Sequence, residues 1–201
     1  MQKQLATIIS LPENTAAEVI LKTEALEALA QKTARRKDTA TELSALSEAF
    51  TIAFWHEPKN YSKAFLLAVK LKKRLAEVDD AQFAGRGEAY VKLGEAYYIF
   101  KDFAKSVEQL ENVIGKLALS FGDCSHLEAL RISGICYANM PGMMKRSDSC
   151  FMAMMLCPDM VLDRPVYDAL AISKLGCNAM MHGDFDKALA LDLEVLPQLK
   201  Q

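Results

Sequence analysis

Apolar residues recur every three or four positions along most of this chain, which is the spacing of one face of an α-helix. The clearest example is the stretch of residues 88–114, EAYVKLGEAYYIFKDFAKSVEQLENVI. Its first half places Tyr90 and Tyr97 on one stripe, and its second half places Val107 and Leu110 on another. Because a polar Lys-Asp pair separates the halves, the stretch predicts two helices joined by a tight turn.

The same periodicity predicts helices along the rest of the chain. Residues 1–10 form a short amphipathic start, and Asn14 or Thr15 is placed to cap the helix that follows. Prolines, glycines and aspartates lie between the periodic segments, where they favour helix ends and turns. The further predicted helices cover residues 16–36, 39–57, 61–78, 88–100, 103–121, 126–140, 143–156, 164–181 and 185–196.

The helix over residues 61–78 has distinct apolar and basic sides. The spacing turns Phe65, Leu71 and Val78 inward. A basic outer side is more often a solvated helix face than a surface for an acidic partner. Its basic residues are Lys70, Lys72, Lys73 and Arg74.

Two sets of landmarks indicate an internal repeat of about 41 residues. Glycines occur at one phase of three first helices, 40 and 42 residues apart, at Gly94, Gly134 and Gly176. The residues that open the returning helices are 42, 40 and 42 apart, at Tyr61, Phe103, Met143 and Phe185. Glycine inside a helix costs about 1 kcal/mol relative to alanine, so its recurrence predicts close approach to a partner helix.

These landmarks resemble the tetratricopeptide repeat, which places a large residue, Leu-Gly and Tyr on its first helix. An aromatic residue, a small residue three positions later and a closing proline mark its second helix. The middle copy matches at Tyr90, Leu93, Gly94, Tyr97 and Phe103, with Ser106 at the small position. The next copy matches at Leu130, Gly134, Tyr137, Ala153 and Pro158, but Arg146 replaces the small residue. The last copy contains GDFDKAL at residues 183–189.

The period departs from the family's length of about 34 residues, and HEAT-type repeats of about 40–47 residues are the alternative. The resemblance implies an all-α fold: a right-handed α-α superhelix, or solenoid, of about four antiparallel helical hairpins. Residues 39–201 would form this single continuous domain, and residues 1–38 would be N-terminal helices that either cap it or fill its groove. Another kind of helical array is the second interpretation.

The resemblance also implies that the first helix of each hairpin lines a concave groove that binds a protein or peptide. The family's clamp for a peptide carboxylate needs Lys and Asn, which do not occur here in the required pattern. Counting from the glycines, the predicted groove residues are Glu88, Val91, Glu95, Tyr98, Glu128, Arg131, Ile135, Ser173 and Met180.

Residues with reactive side chains form no catalytic or metal-binding pattern, so we expect a non-enzymatic protein without cofactor or metal. The histidines have no ligand spacing for zinc and lie at predicted helix ends, at His56, His126 and His182. Four cysteines in helical segments are interpreted as buried, reduced thiols, at Cys136, Cys150, Cys157 and Cys177. Apart from Met1, every methionine lies between residues 140 and 181. We expect most of these in the core, but adjacent pairs such as Met154 and Met155 cannot both face inward.

Charge and hydropathy argue against two classes of partner, nucleic acids and membranes. The formal charge is -2 and the pI about 6.0, which does not indicate nucleic-acid binding. No apolar run approaches the length of about 18 residues needed for a membrane span. With reduced cysteines, this predicts a cytoplasmic protein. The tetratricopeptide resemblance implies a scaffold that binds a protein or peptide, like modules of bacterial regulatory or signalling proteins. The alternatives are a homodimerisation module, paired through Leu189 and Leu193, and a small-ligand sensor.

Overall fold

A computed structural model describes residues 1–79, 82–115, 124–157 and 164–197, with the backbone alone for Cys124 and Arg164. All regular elements in these ranges are helices, so the all-α prediction is confirmed. None of the described helices is long and apolar enough to cross a membrane. The ten helices of these ranges are α1 (Gln2–Ile9), α2 (Ala16–Arg35), α3 (Thr39–Trp55), α4 (Tyr61–Ala76), α5 (Arg86–Ile99), α6 (Phe103–Ile114), α7 (Cys124–Ala138), α8 (Met144–Leu156), α9 (Arg164–Met181) and α10 (Phe185–Val195).

The chain divides into two compact units, Met1–Leu93 and Gly94–Gln201, and the boundary falls inside α5. The sequence-based division at residue 38 stays a prediction. The predicted helical residues 116–121 and the closing proline at Pro158 lie outside the described residues.

In the first unit, α3 packs against α2 on one side and α4 on the other. Because α3 is apolar around most of its circumference, it fills the centre of the unit, and Leu43, Phe50 and Phe54 are at most 2% exposed. Its start is fixed by Asp38, whose side chain accepts a hydrogen bond from the Thr41 amide at 3.3 Å.

The predicted cap of α2 is confirmed at Thr15. Its hydroxyl accepts from the Glu18 amide at 3.3 Å, and the Glu18 carboxylate accepts from the Thr15 amide at 2.9 Å. This reciprocal capping box satisfies two amides that a helix start leaves without partners.

A bidentate ion pair joins α3 to α4. The Nε and Nη2 atoms of Arg74 donate to the two oxygens of Glu42 at 2.8 and 2.9 Å. Glu42 is only 4% exposed, so this pairing compensates the desolvation of its carboxylate. Arg74 also donates to Glu77 at 2.7 Å.

In the second unit, each helix from α6 to α10 packs against the next. One apolar cluster draws on α7, α8 and α9, and its buried members are Leu127, Leu130, Phe151, Met154, Cys157, Ala171 and Leu175. A smaller cluster of Ala169, Ile172 and Val195 joins α9 to α10. These clusters hold the first helices of successive hairpins at fixed positions.

The recurring glycines lie where a first helix approaches its returning helix closely. A Cβ atom at Gly94 would lie 2.5 Å from Leu110 Cγ, and one at Gly134 would lie 2.7 Å from Phe151 Cζ. Leu110 and Phe151 are each the eighth residue of their helices, α6 and α8. The packing reason inferred from the sequence therefore holds at these two glycines. At Gly176 the nearest atom is a carboxylate oxygen, 3.0 Å away.

Three turns between helices share one construction. A residue with positive φ ends the helix, and the following aspartate caps the next helix with its side chain. The aspartate amide also donates to a carbonyl five residues earlier, as in a Schellman motif. The three pairs are Lys37-Asp38, Lys101-Asp102 and Gly183-Asp184. The sequence pattern predicts the last two pairs as hairpin turns, but it does not identify the turn at Lys37 as one of the same kind.

The predicted inner side of the segment 61–78 is confirmed at Leu71 and Val78 but wrong at Phe65. Phe65 is 58% exposed, because the inner face of α4 consists of Ala64, Leu67, Leu71 and Leu75. The helix ends at Ala76 rather than at residue 78.

The sequence pattern predicts the start of α8 one residue too early. Since α8 begins at Met144 and not at Met143, its fourth residue is Ser147, which is fully buried. Ser106 and Ala188 hold the corresponding fourth positions of α6 and α10. Counted from the start of α8, the small residue at the fourth position is thus Ser147, and Arg146 is at the third.

Two expectations about sulfur-containing side chains have different outcomes. Cys177 is exposed, so its interpretation as a buried thiol is wrong, because the packed face of α9 is formed by its neighbours Gly176 and Asn178. Met154 is fully buried while Met155 is 37% exposed, which confirms that the pair does not point the same way.

Candidate functional site

The predicted groove residues fall in both compact units. In the first unit, Glu88 is exposed and forms an ion pair with Lys92 at 2.8 Å, one helical turn away. Val91 is only 8% exposed, so it contributes to the interior rather than to an open surface.

In the second unit, the predicted residues have mixed exposure. Most are half-buried, and Met180 is 56% exposed. Ile135 packs against the apolar cluster of α7, α8 and α9. The half-buried residues are Glu95, Tyr98, Glu128, Arg131, Ile135 and Ser173.

Three of these residues lie together in a polar group that we call the charged cluster: Glu95, Glu128, Arg131 and the additional Tyr167. Arg131 donates to one Glu128 oxygen through Nε at 2.8 Å and Nη2 at 2.7 Å. The Tyr167 hydroxyl donates to the other Glu128 oxygen at 2.8 Å. Tyr167 on α9 thus contacts Glu128 on α7, and Glu95 on α5 lies near enough for the charges of Glu128 and Arg131 to act on it.

Glu95 is electrostatically different from the rest of the charged cluster. Partial burial raises the pKa of its carboxyl, and the negative charge of Glu128 adds to this effect. The positive charge of Arg131 opposes it. Within the described part of the chain, Glu95 makes no hydrogen bond or ion pair, so its carboxylate has lost water without gaining a partner.

Arg131 holds the charged cluster together. Burial of its guanidinium lowers its pKa, but hydrogen bonds with Glu128 and the charges of Glu128 and Glu95 outweigh this, and the pKa is raised. Arg131 therefore stays cationic. With both carboxylates ionised, the charged cluster has a net charge of minus one.

Backbone packing fixes these side chains. Glu128 and Arg131 are three residues apart on α7, so they share one face, while Leu127 and Leu130 point into the core. The close approach at Gly134 sets the distance of α7 from α8. Counting from the glycines does not identify Tyr167, because Tyr167 lies about two turns before Ser173, the first predicted groove residue of α9. No repeat landmark marks Tyr167 either.

A concave region lies in the first unit, between α2, α3 and α4. It is a cleft of about 460 Å³ with Ala30, Ala34 and Leu46 among its lining residues. Two of the four residues of the predicted basic stripe are neutralised here. Arg74 pairs with Glu42, and Lys70 lies 3.5 Å from Glu27.

The reactive side chains of the described ranges can be compared by their grouping and their pKa. No group of three His, Cys, Asp or Glu side chains there could hold a metal ion. Burial raises the pKa of the Cys150 thiol to about 11, and that of Cys136 is also raised, so neither is an activated nucleophile. The charged cluster can instead accept hydrogen bonds from a cationic ligand. No family model, no curated protein and no solved structure matches this chain.

Proposed function

We propose that this chain is a non-enzymatic module that binds a protein or peptide, and that the charged cluster is its recognition site. We also propose that its helices form a right-handed superhelix of tetratricopeptide-like hairpins. Supporting this, the returning helices begin at Tyr61, Phe103, Met144 and Phe185, at intervals of 42, 41 and 41 residues.

The observation that carries the proposal is the state of Glu95. A half-buried carboxylate with a raised pKa and no direct partner among the described residues is unfavourable in the free protein. A ligand ammonium or guanidinium would relieve this cost by supplying charged hydrogen bonds. The net charge of minus one in the charged cluster favours the same ligand. The partner is therefore a peptide segment that presents a Lys or Arg side chain.

The neighbouring residues suit such a segment. Tyr98 offers a half-buried ring for apolar contact, and Tyr167 and Arg131 orient Glu128 so that its position is fixed before binding. Preorganised side chains lose less conformational entropy on binding. The free thiols of Cys136 and Cys150 support placing the module in a reducing compartment such as the cytoplasm.

The test selects peptides from a displayed random library on the intact chain and then measures their affinities in solution. Glu95→Gln removes the carboxylate charge with little change of shape. Glu24→Gln is the matched control, because Glu24 is an exposed glutamate on α2.

The selected peptides should be enriched in Lys or Arg, and Glu95→Gln should weaken their binding by about tenfold or more, as for loss of a charged hydrogen bond. Replacing the basic peptide residue by norleucine should weaken wild-type binding equally and have little further effect on the variant. Peptides without basic enrichment, or equal affinities for the two glutamine variants, would overturn the proposal.

A further inference from the structure

The last described helix, α10, carries an apolar stripe that no part of the described chain covers. We call it the α10 stripe. Its four side chains are between 48% and 68% exposed, and their spacing of four, four and three residues places them on one helical face. They are Phe185, Leu189, Leu193 and Leu196. The opposite side of α10 is anchored on α9 through Ala188 and Val195.

The corresponding residue of α6 indicates what kind of element packs on such a face. Val107 is the fifth residue of α6 and is 7% exposed, and α7 packs against that helix. Leu189 is the fifth residue of α10 and is 60% exposed. The α10 stripe thus has the position that an apolar helix covers elsewhere in this unit.

The borders of the α10 stripe are acidic. At 100° per residue, Asp186 and Asp192 lie on its two sides, and both are exposed. If two copies paired through this stripe around a two-fold axis, these carboxylates would lie near those of the other copy. Like charges at such an interface are unfavourable, so the preferred occupant is an apolar helix face with basic borders.

The chain itself offers such a face on α4, which we call the α4 stripe. Its side chains Phe65, Leu66 and Val69 are 50% to 58% exposed. Lysines border this stripe and follow it towards the C-terminal end of the helix. They are Lys72 and Lys73, together with Lys70, which also lies 3.5 Å from Glu27 of its own chain.

We propose that the α10 stripe of one copy docks on the α4 stripe of a second copy. The contact pairs apolar side chains at its centre and opposite charges at its borders. Because the two faces differ, the contact is head-to-tail, and each dimer keeps one free stripe of each kind. Association therefore continues beyond the dimer as concentration rises, unless a ring closes. This inference does not depend on peptide binding by the charged cluster.

The test uses two variants, each with one stripe disabled by a charge: Leu193→Asp on α10 and Phe65→Asp on α4. Sedimentation velocity over a wide concentration range measures association, and circular dichroism confirms that each variant is folded. Met152→Asp is the control, because Met152 is 52% exposed on α8 and belongs to neither stripe.

Wild type and the Met152→Asp control should form dimers and larger species. Each stripe variant alone should associate about tenfold or more weakly, as expected for loss of one buried apolar side chain. A mixture of the two stripe variants should form a dimer that grows no further, since each variant supplies the stripe that the other lacks.

Each other outcome overturns the inference. If the Phe65→Asp variant associates as strongly as wild type, the α10 stripes pair with each other. If wild type stays monomeric at all concentrations, or the mixture of variants does, the α4 stripe is not the partner.

Discussion

Gly94 should be intolerant of even one added methyl group. A Cβ atom there would lie 2.5 and 2.6 Å from Cγ and Cδ2 of Leu110, which is fully buried. Alanine gains about 1 kcal/mol of helix propensity over glycine. Overpacking of a buried site costs about 1–3 kcal/mol. Gly94→Ala should therefore destabilise the fold by about 1 kcal/mol, and Gly94→Leu by about 3 kcal/mol or more.

Gly176→Ala provides the matched control on α9. The nearest atom to its Cβ would be a carboxylate oxygen of Asp192 at 3.0 Å, at the end of a side chain that can move. This variant should gain up to about 1 kcal/mol from helix propensity. Thermal unfolding followed by circular dichroism distinguishes the two, since 1 kcal/mol shifts Tm by about 2–4 °C in a chain of this length.

A double-mutant cycle isolates the contact itself. Leu110→Ala removes the atoms that the new methyl group would strike, at a cost of its own of about 2–5 kcal/mol. In that background, Gly94→Ala should become neutral or stabilising. The same destabilisation by Gly94→Ala in both backgrounds would refute the close-approach argument. An unchanged Tm for Gly94→Leu would also refute the repeat alignment that led to it.

Three further predictions concern charge and thiol chemistry. The raised pKa of Glu95 means that ionisation of its carboxyl destabilises the folded state. This destabilisation is absent below the pKa of the unfolded state and complete above the pKa of the folded state. Glu95→Gln should therefore raise Tm at neutral pH, and the gain should disappear as the pH falls through that window. Arg74→Met should leave buried Glu42 without its partner and destabilise by about 3–5 kcal/mol in urea unfolding, and a loss below 1 kcal/mol would contradict this. With a thiol reagent at pH 8, peptide mapping should find Cys177 modified well before Cys150, because a pKa of about 11 leaves roughly one thiolate in a thousand at Cys150.

The hydrophobic period predicted the helices well, because each helix carries its own pattern and its own capping residues. The segment from residue 103 to 114 illustrates this, since Asp102 caps its start and Leu110 marks its inner face. Close approach at Gly94 and Gly134 was also predictable, because glycine is unfavourable in a helix without a packing reason.

The buried face of a helix and its first residue were less predictable where nearby residues are equally apolar. On α4, Phe65 and Leu67 are both apolar, and only packing against α3 determines that Leu67 is buried. Similarly, Met143 and Met144 are equivalent as sequence, and the shifted start of α8 exchanges Arg146 for Ser147 at the small position.

The candidate site shows the same limit. Phase counting identified Glu95, Glu128 and Arg131, but it could not show that they meet, because contacts between separate helices depend on tertiary packing. Tyr167 was invisible to it, since the hydrogen bond to Glu128 spans 39 residues of sequence.

The most direct test of peptide binding is methyl NMR of the chain with a selected basic peptide. Ile135 and Met180 lie at predicted groove positions on α7 and α9, and Met152 is comparably exposed on α8. With these methyl groups labelled, the peptide should shift Ile135 and Met180 and leave Met152 unchanged. The shifts should disappear in Glu95→Gln at the same peptide concentration. Shifts confined to Met152, or unaffected by Glu95→Gln, would contradict the account.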